Sequence, residues 1–139
     1  MAVKQSEKKL NTLIIEDEPV ASAIVKIALE GQSDYSVAES GDTALKMFSS
    51  SLSSKKYFNV VLIDIGLPDM NGKDILKKID ELEAKENVPQ DKRVKKIMVT
   101  ASSGKDDLFG SIRDQCDDYL LKPVTKEILL DKLRAVGVL

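Results

Sequence analysis

Val60-Val61-Leu62-Ile63-Asp64 is four consecutive apolar residues closed by an acid. An unbroken apolar run of this length predicts a strand covered on both faces, as in a parallel sheet, rather than one alternating between core and solvent. Comparable short runs stand at residues 13–15, 97–99 and 119–121, with a weaker one at 35–38. Segments of helical period separate them. Val20, Ile24, Ile27 and Ala28 fall on one stripe, with Pro19 near its start and Gly31 near its end. Leu45, Phe48 and Leu52 repeat the pattern, as do Ile75, Ile79 and Leu82, and finally Leu129, Leu133 and Val136 behind Thr125 as a predicted N-cap. After the fourth run, Leu108, Phe109 and Ile112 give only a thin apolar edge, so that helix is expected to be the most mobile.

Five strands, each followed by a helix, predict an α/β fold with a doubly wound, five-stranded parallel sheet. Right-handed crossovers leave few arrangements, and the flavodoxin-like order 2-1-3-4-5 is the one expected. Residues 1–9 read as a polar tail and 10–139 as one domain. No repeat or internal linker divides them. Residues 49–54 are a serine-rich helix end or loop. Residues 84–96 form a charged connection with Pro89 and the basic run Lys92, Arg93, Lys95 and Lys96, for which a solvated loop outweighs partner docking.

At 139 residues the chain is long enough to bury a core without staples. A net charge of −2 gives no electrostatic reason to expect nucleic acid or an anionic membrane as partner. Histidine is absent, which removes His-based acid–base chemistry, His metal ligands and any role as a phosphohistidine donor. The single cysteine, Cys116, cannot form an internal disulfide, so a reducing compartment is the simpler expectation. With no apolar run of spanning length and no apolar stretch near the N-terminus, the cytoplasm is the expected location.

In a sheet of this order, ligands bind beyond the C-terminal strand ends, where strand order reverses between strands one and three. The residues that follow each strand therefore test for a site. Strand one ends in Glu16-Asp17-Glu18, strand three in Asp64, strand four in Thr100-Ala101-Ser102 and strand five in Lys122-Pro123. Asp17 and Asp64 fall on neighbouring strands, ~4.8 Å apart at the backbone, close enough to share one cation. Without a cation such carboxylates repel. An oxygen-only ligand set points to Mg²⁺ or Mn²⁺ rather than zinc. Thr100 is one strand from Asp64, within reach of a short hydroxyl. Lys122 is two strands away, roughly 9–10 Å, a span that needs a long cationic side chain. Ala101 is small and leaves room for a phosphate near the backbone.

Taken singly, each of these residues has an ordinary explanation. An Asp–Glu pair after a strand often caps the next helix, a lone Asp often marks a turn, Thr is a common cap and Lys-Pro a strand stop. All four at successive strand ends are far harder to attribute to accident.

As a set, these stretches resemble response regulator receiver domains of the chemotaxis-regulator kind. The resemblance runs from about Leu10 to about Val136. It is carried by residues 13–18 (LIIEDE), 60–72 (VVLIDIGLPDMNG), 99–102 (VTAS) and 118–123 (DYLLKP). It implies that Asp64 is the phosphoacceptor, taking a phosphoryl group from a sensor histidine kinase, a histidine phosphotransfer protein or a small phosphodonor. Asp17 and the Gly66 carbonyl would join Asp64 as Mg²⁺ ligands, with Glu16 acting mainly through a metal-bound water. Lys122 would pair with a phosphoryl oxygen, and its bond to Pro123 would be cis. Thr100 and Tyr119 would form the switch pair, biasing the face made by the helix after strand four, strand five and the last helix.

The resemblance further implies phosphorelay signalling through a downstream protein target, with no direct nucleic acid or membrane partner. The expected state is a monomer, with phosphorylation-dependent dimerisation left open. Activity is limited to self-catalysed phosphotransfer and autodephosphorylation, so no enzyme in the ordinary sense is expected. Glu16 stands where many family members have Asp. Gly66 and Ser102 replace larger side chains, and the expectation is an acyl phosphate open to water. The connection at 84–96 is longer than usual.

An Mg²⁺-dependent phosphohydrolase with an aspartyl nucleophile is the rival from another class. It usually needs a second acid close behind the nucleophile, and Asp64 is followed by Ile65-Gly66. A pseudo-receiver is opposed by the intact Asp17, Asp64, Thr100 and Lys122. An EF-hand at residues 69–72 fails because its first ligand would be Leu67. Nothing follows the last helix, so no output domain is expected within this chain. A stand-alone regulator and a receiver cut from a larger protein both stay open, the start at Met1 favouring the former slightly.

Overall fold

The computed structural model describes residues 10–101 and 116–139. Their elements are β1 (Leu10–Ile15), α1 (Pro19–Leu29), β2 (Ser33–Ala38), α2 (Gly41–Ser54), β3 (Val60–Asp64), α3 (Gly72–Lys85), a 3₁₀ turn (Gln90–Lys92), β4 (Lys95–Thr100), β5 (Asp118–Leu121) and α4 (Lys126–Ala135). The helix predicted around Leu108, Phe109 and Ile112, Ser102 and the tail at 1–9 lie outside the described residues. All five strands form one parallel sheet in the order β2-β1-β3-β4-β5, the order expected from sequence.

The central strands read as continuous apolar runs because both faces are covered. Leu13, Ile15, Val61, Ile63 and Met98 point into a layer formed with α2 and α3, where Phe48, Ile75 and Ile79 are fully buried. Ile14, Val60, Leu62, Ile97 and Val99 point the other way, against α1 and α4, where Leu29, Leu129 and Leu133 are fully buried. Truncating any of these large side chains to alanine costs about 2–5 kcal/mol.

Local chemistry sets the helix ends. Pro19 opens α1, and Gly31 follows it at φ +78°, a conformation glycine adopts without a Cβ penalty. Ser40, Asn71 and Thr125 cap α2, α3 and α4, accepting from the backbone N–H groups of Thr43, Asp74 and Ile128. The Thr125 cap matches the sequence expectation. The serine-rich residues 49–54 complete α2, with buried Ser51 donating to the Phe48 carbonyl at 2.7 Å. The charged connection after α3 is pinned at both ends by Val88 and Val94, each 3% exposed.

The buried face of α1 matches the expected stripe only at Ala28. Ser22, Val25, Ala28 and Leu29 face the sheet, whereas Val20 and Ile27 are 71% and 72% exposed and Ile24 is 39% exposed. The sequence of α1 is apolar almost all the way round, so two overlapping stripes fit the helical period equally well. The stripe with the small Ser22 and Ala28 packs inward. Ser22 also meets its hydroxyl's needs locally, donating to the Pro19 carbonyl at 3.1 Å.

Candidate functional site

The site is built where the parallel ladder runs out. Beyond the strand ends the chain still makes sheet-like bonds: Glu16 N–H donates to the Ala38 carbonyl, Ile65 N–H to that of Val99 and Lys122 N–H to that of Thr100. These bonds hold the residues that follow β1, β3 and β5 side by side. One carboxylate oxygen each from Glu16, Asp17 and Asp64 lies within 4.8 Å of the others, the one such acidic group found among the described residues. Glu16 is buried, the Asp64 side chain is 12% exposed, and Asp17 is open to solvent. Asp64 Oδ1 accepts the Gly66 N–H at 3.1 Å, and Glu16 Oε2 accepts the Glu18 N–H at 3.2 Å.

Lys122 crosses from the far side, as the two-strand spacing required. Its Nζ is 3.1 Å from Glu16 Oε1 and 3.7 Å from Asp64 Oδ2. Burial holds Glu16 up to about 7, and the adjoining Asp64 pushes in the same direction. The Lys122 ion pair opposes that rise without cancelling it. For Lys122 itself burial pulls downward, but its bond to Glu16 and the charge of Asp64 outweigh burial, and its pKa is raised. Acids this close, in this little solvent, form a donor set that fits a hard divalent cation: all oxygens, anionic, with one open flank at Asp17.

Thr100 is buried at the end of β4, the strand beside β3, and Ala101 next to it is exposed. Gly66 is exposed two residues beyond the end of β3. The Lys122-Pro123 bond is cis, as expected. Tyr119 is half-buried in β5, paired in register with Met98 and packed with the α2–α3 layer. A groove of about 300 Å³ opens beside Lys122, between α1 and the β5–α4 connection, floored by Ile14, Leu62 and Val99.

Two acids with structural roles were not picked out from the sequence. Asp69, in the loop after β3, accepts the N–H groups of Gly41 and Asp42 at 2.9 and 3.1 Å and so caps α2 from 27–28 residues away. Those bonds hold its carboxyl below the usual range. Gly41 allows the approach, because a Cβ there would meet the Met70 Cβ at 2.9 Å. The β3–α3 loop, which contains Gly66, is thereby fastened to α2. Glu83, the second such acid, is 1% exposed on α3 and accepts the Val94 N–H at 2.7 Å at the start of β4. No short-range motif marks either pairing.

The family model for the response regulator receiver domain matches residues 12–134. The chain belongs to that family. Chemotaxis protein CheY1 of Helicobacter pylori is 27% identical to this receiver domain, over 91% of the present chain and 96% of its own. A CheY-like receiver domain of known structure from Methanospirillum hungatei superposes with a TM-score of 0.70 at 28% identity, covering 91% and 92% of the two chains. The receiver domain of Saccharomyces cerevisiae Ssk1, solved with the histidine phosphotransfer protein Ypd1, gives a TM-score of 0.74 at 25% identity, covering 93% of this chain and 89% of that one. This is therefore a receiver domain of two-component signalling. No helix among its described residues is long and apolar enough to cross a membrane.

Proposed function

We propose that this receiver domain takes a phosphoryl group onto Asp64 from a phosphohistidine of a sensor kinase or phosphotransfer protein. The observation that carries the reading is the convergence of Glu16, Asp17 and Asp64 with the Lys122 ammonium at one rim. An Asp64 carboxylate oxygen bonds to phosphorus. The P–N bond of the donor breaks, leaving its electron pair on the departing imidazole, and an acyl phosphate results. Asp17, Asp64 and the Gly66 carbonyl would hold Mg²⁺ or Mn²⁺, with Glu16 contributing through a water. The ion supplies neutralisation of the clustered acids and of the phosphoryl oxygens.

Lys122 is free to leave Glu16 for a phosphoryl oxygen as a point charge. Ala101 leaves the approach open, Thr100 offers a hydroxyl from β4, and Pro123 sets the course of the chain behind Lys122. Tyr119 answers the movement of Thr100, and the β5–α4 side then changes its affinity for a downstream protein. The donor reaches the rim over α1, whose exposed Val20 and Ile24 flank the groove beside Lys122. The Ypd1–Ssk1 complex supports a phosphotransfer protein as one such donor. The expected turnover is limited to self-catalysed transfer and loss of the phosphoryl group, in the cytoplasm and without nucleic acid or membrane contact.

The test is incubation with acetyl phosphate and Mg²⁺ followed by intact mass. The wild type gains one phosphoryl mass and Asp64→Ala gains none. Equal labelling of the variant would overturn the assignment.

A further inference from the structure

The last helix holds a side chain that the phosphotransfer chemistry does not use. Lys132 of α4 places its Nζ 5.2 Å from the centroid of the Tyr119 ring and 3.0 Å from Asp118 Oδ1. The same Asp118 oxygen accepts the Tyr119 backbone N–H at 2.8 Å. One ammonium thus grips Tyr119 twice, at the ring directly and at the backbone through Asp118. The route it takes is specific. β5 is one of the two edge strands of the sheet, with Leu120 in the α1–α4 layer and Tyr119 in the α2–α3 layer. Lys132 belongs to a helix of the first layer, so its stem passes round the sheet edge to close over a ring belonging to the second. The Lys132 and Asp118 side chains are 31% and 21% exposed, too buried for the pair to be dismissed as a fully solvated one.

We infer that Lys132 is a positioning residue that latches the Tyr119 ring in its present setting, half-buried against the α2–α3 layer, and so holds back the phosphorylated form. The inference rests on the proposed coupling of Tyr119 to Asp64. If phosphorylation moves the ring out of this setting, that movement must break the cation–ring contact. By linkage, whatever stabilises this setting of the ring disfavours the phosphorylated form by the same factor. A cation over an aromatic face at a partly exposed site corresponds to about a two- to fivefold shift in such an equilibrium. The Asp118 pair fixes where the ammonium sits and makes the latch directional.

Lys132→Met keeps the apolar stem and removes the charge, whereas Lys132→Arg keeps a cation able to lie over the ring. The protein contains three tyrosines, so 3-fluorotyrosine labelling gives three ¹⁹F signals, with that of Tyr119 assigned through Tyr119→Phe. In Lys132→Met the Tyr119 signal should shift and the other two stay in place. The ratio of phosphorylated to unphosphorylated protein at steady state, in subsaturating acetyl phosphate and Mg²⁺, should rise about two- to fivefold, and Lys132→Arg should restore both readouts. An unmoved Tyr119 signal overturns the latch. A moved signal with an unchanged phosphorylated fraction shows the ring held but not linked to Asp64, and overturns the inference in that part. Failure of the wild type to label at Asp64 would instead remove the functional reading on which the linkage depends.

Discussion

Lys122 and Asp64 stand 3.7 Å apart across two strand spacings, with Glu16 on the same ammonium at 3.1 Å. The lysine therefore serves as the internal counter-ion of the acidic cluster. Any group that displaces it must offer the acids comparable positive charge, and any anion that arrives at Asp64 finds the ammonium already beside it.

Replacing that ammonium should cost the reaction more than the fold. Lys122→Met keeps most of the stem but leaves charge developing on the phosphoryl oxygens unopposed on one side. Labelling of Asp64 by acetyl phosphate should fall about 10²-fold, the usual loss for a preorganised charge in a water-poor site. Lys122→Arg should recover little, because a planar fork cannot occupy the place of a compact ammonium. Time courses of intact mass at fixed Mg²⁺ give both rates, and a Lys122→Met rate within twofold of wild type would remove the residue from the site.

Glu16 predicts a pH dependence for metal binding. Burial and Asp64 raise its pKa from 4.5 to about 7. Below pH 7 the folded protein carries a proton that an entering cation must expel. Apparent Mg²⁺ affinity should therefore climb as pH rises toward 7, by no more than about tenfold per pH unit for one proton, and level off above it. Titration calorimetry in two buffers of different ionisation enthalpy would show the proton release directly. Glu16→Gln should flatten the profile between pH 6 and 8, and an unaltered slope would show that another group carries the proton.

Glu83 makes a separate statement about stability. Burial raises its pKa above 4.5, while the Val94 N–H and the nearby Lys96 and Arg93 pull it back only in part. Its Oε1 has no hydrogen-bond partner among the described residues. A raised acid is favoured in its protonated form by the fold. Its contribution is therefore full below pH 4.5 and is lost as pH rises through the folded value. Glu83→Gln keeps an acceptor for Val94 without the buried charge. Relative to wild type, the urea midpoint of this variant should improve as pH rises above 4.5. Glu83→Ala leaves the Val94 N–H unpaired and should cost about 1–3 kcal/mol.

The sheet order and most of the rim were legible in the sequence for one reason. Strands buried on both faces are written as continuous apolar runs, and the residue after each run falls on a common edge. Asp64, Thr100 and Lys122 could be placed from that rule and a strand spacing alone. The orientation of α1 was not legible, because Val20, Ile24 and Ile27 are as apolar as Val25, Ala28 and Leu29, and only the tertiary fit of the smaller residues selects a face. Asp69 and Glu83 were missed for a different reason. Each accepts backbone N–H groups from a segment distant in sequence, and an acid with such a partner looks the same in one dimension as an acid facing water. The Lys132 contact with Tyr119 belongs to the same class, joining a helix of one layer to a ring of the other.

The exposed Gly66 predicts a short-lived acyl phosphate. Its N–H already donates to Asp64 Oδ1, and a Cβ built at this position meets nothing closer than that oxygen at 3.9 Å. A side chain can therefore be added without disturbing the acceptor, and it would stand over the open flank through which water reaches the phosphoryl group. Gly66→Asn should lengthen the half-life of the phosphoprotein several-fold while leaving the initial rate of labelling close to wild type, since the acids and Lys122 are untouched. Decay followed by intact mass after removal of acetyl phosphate, at saturating Mg²⁺, measures the first quantity, and the labelling time course the second. An unchanged half-life would mean that water approaches from another exposed side of the rim, at Ala101 or Asp17.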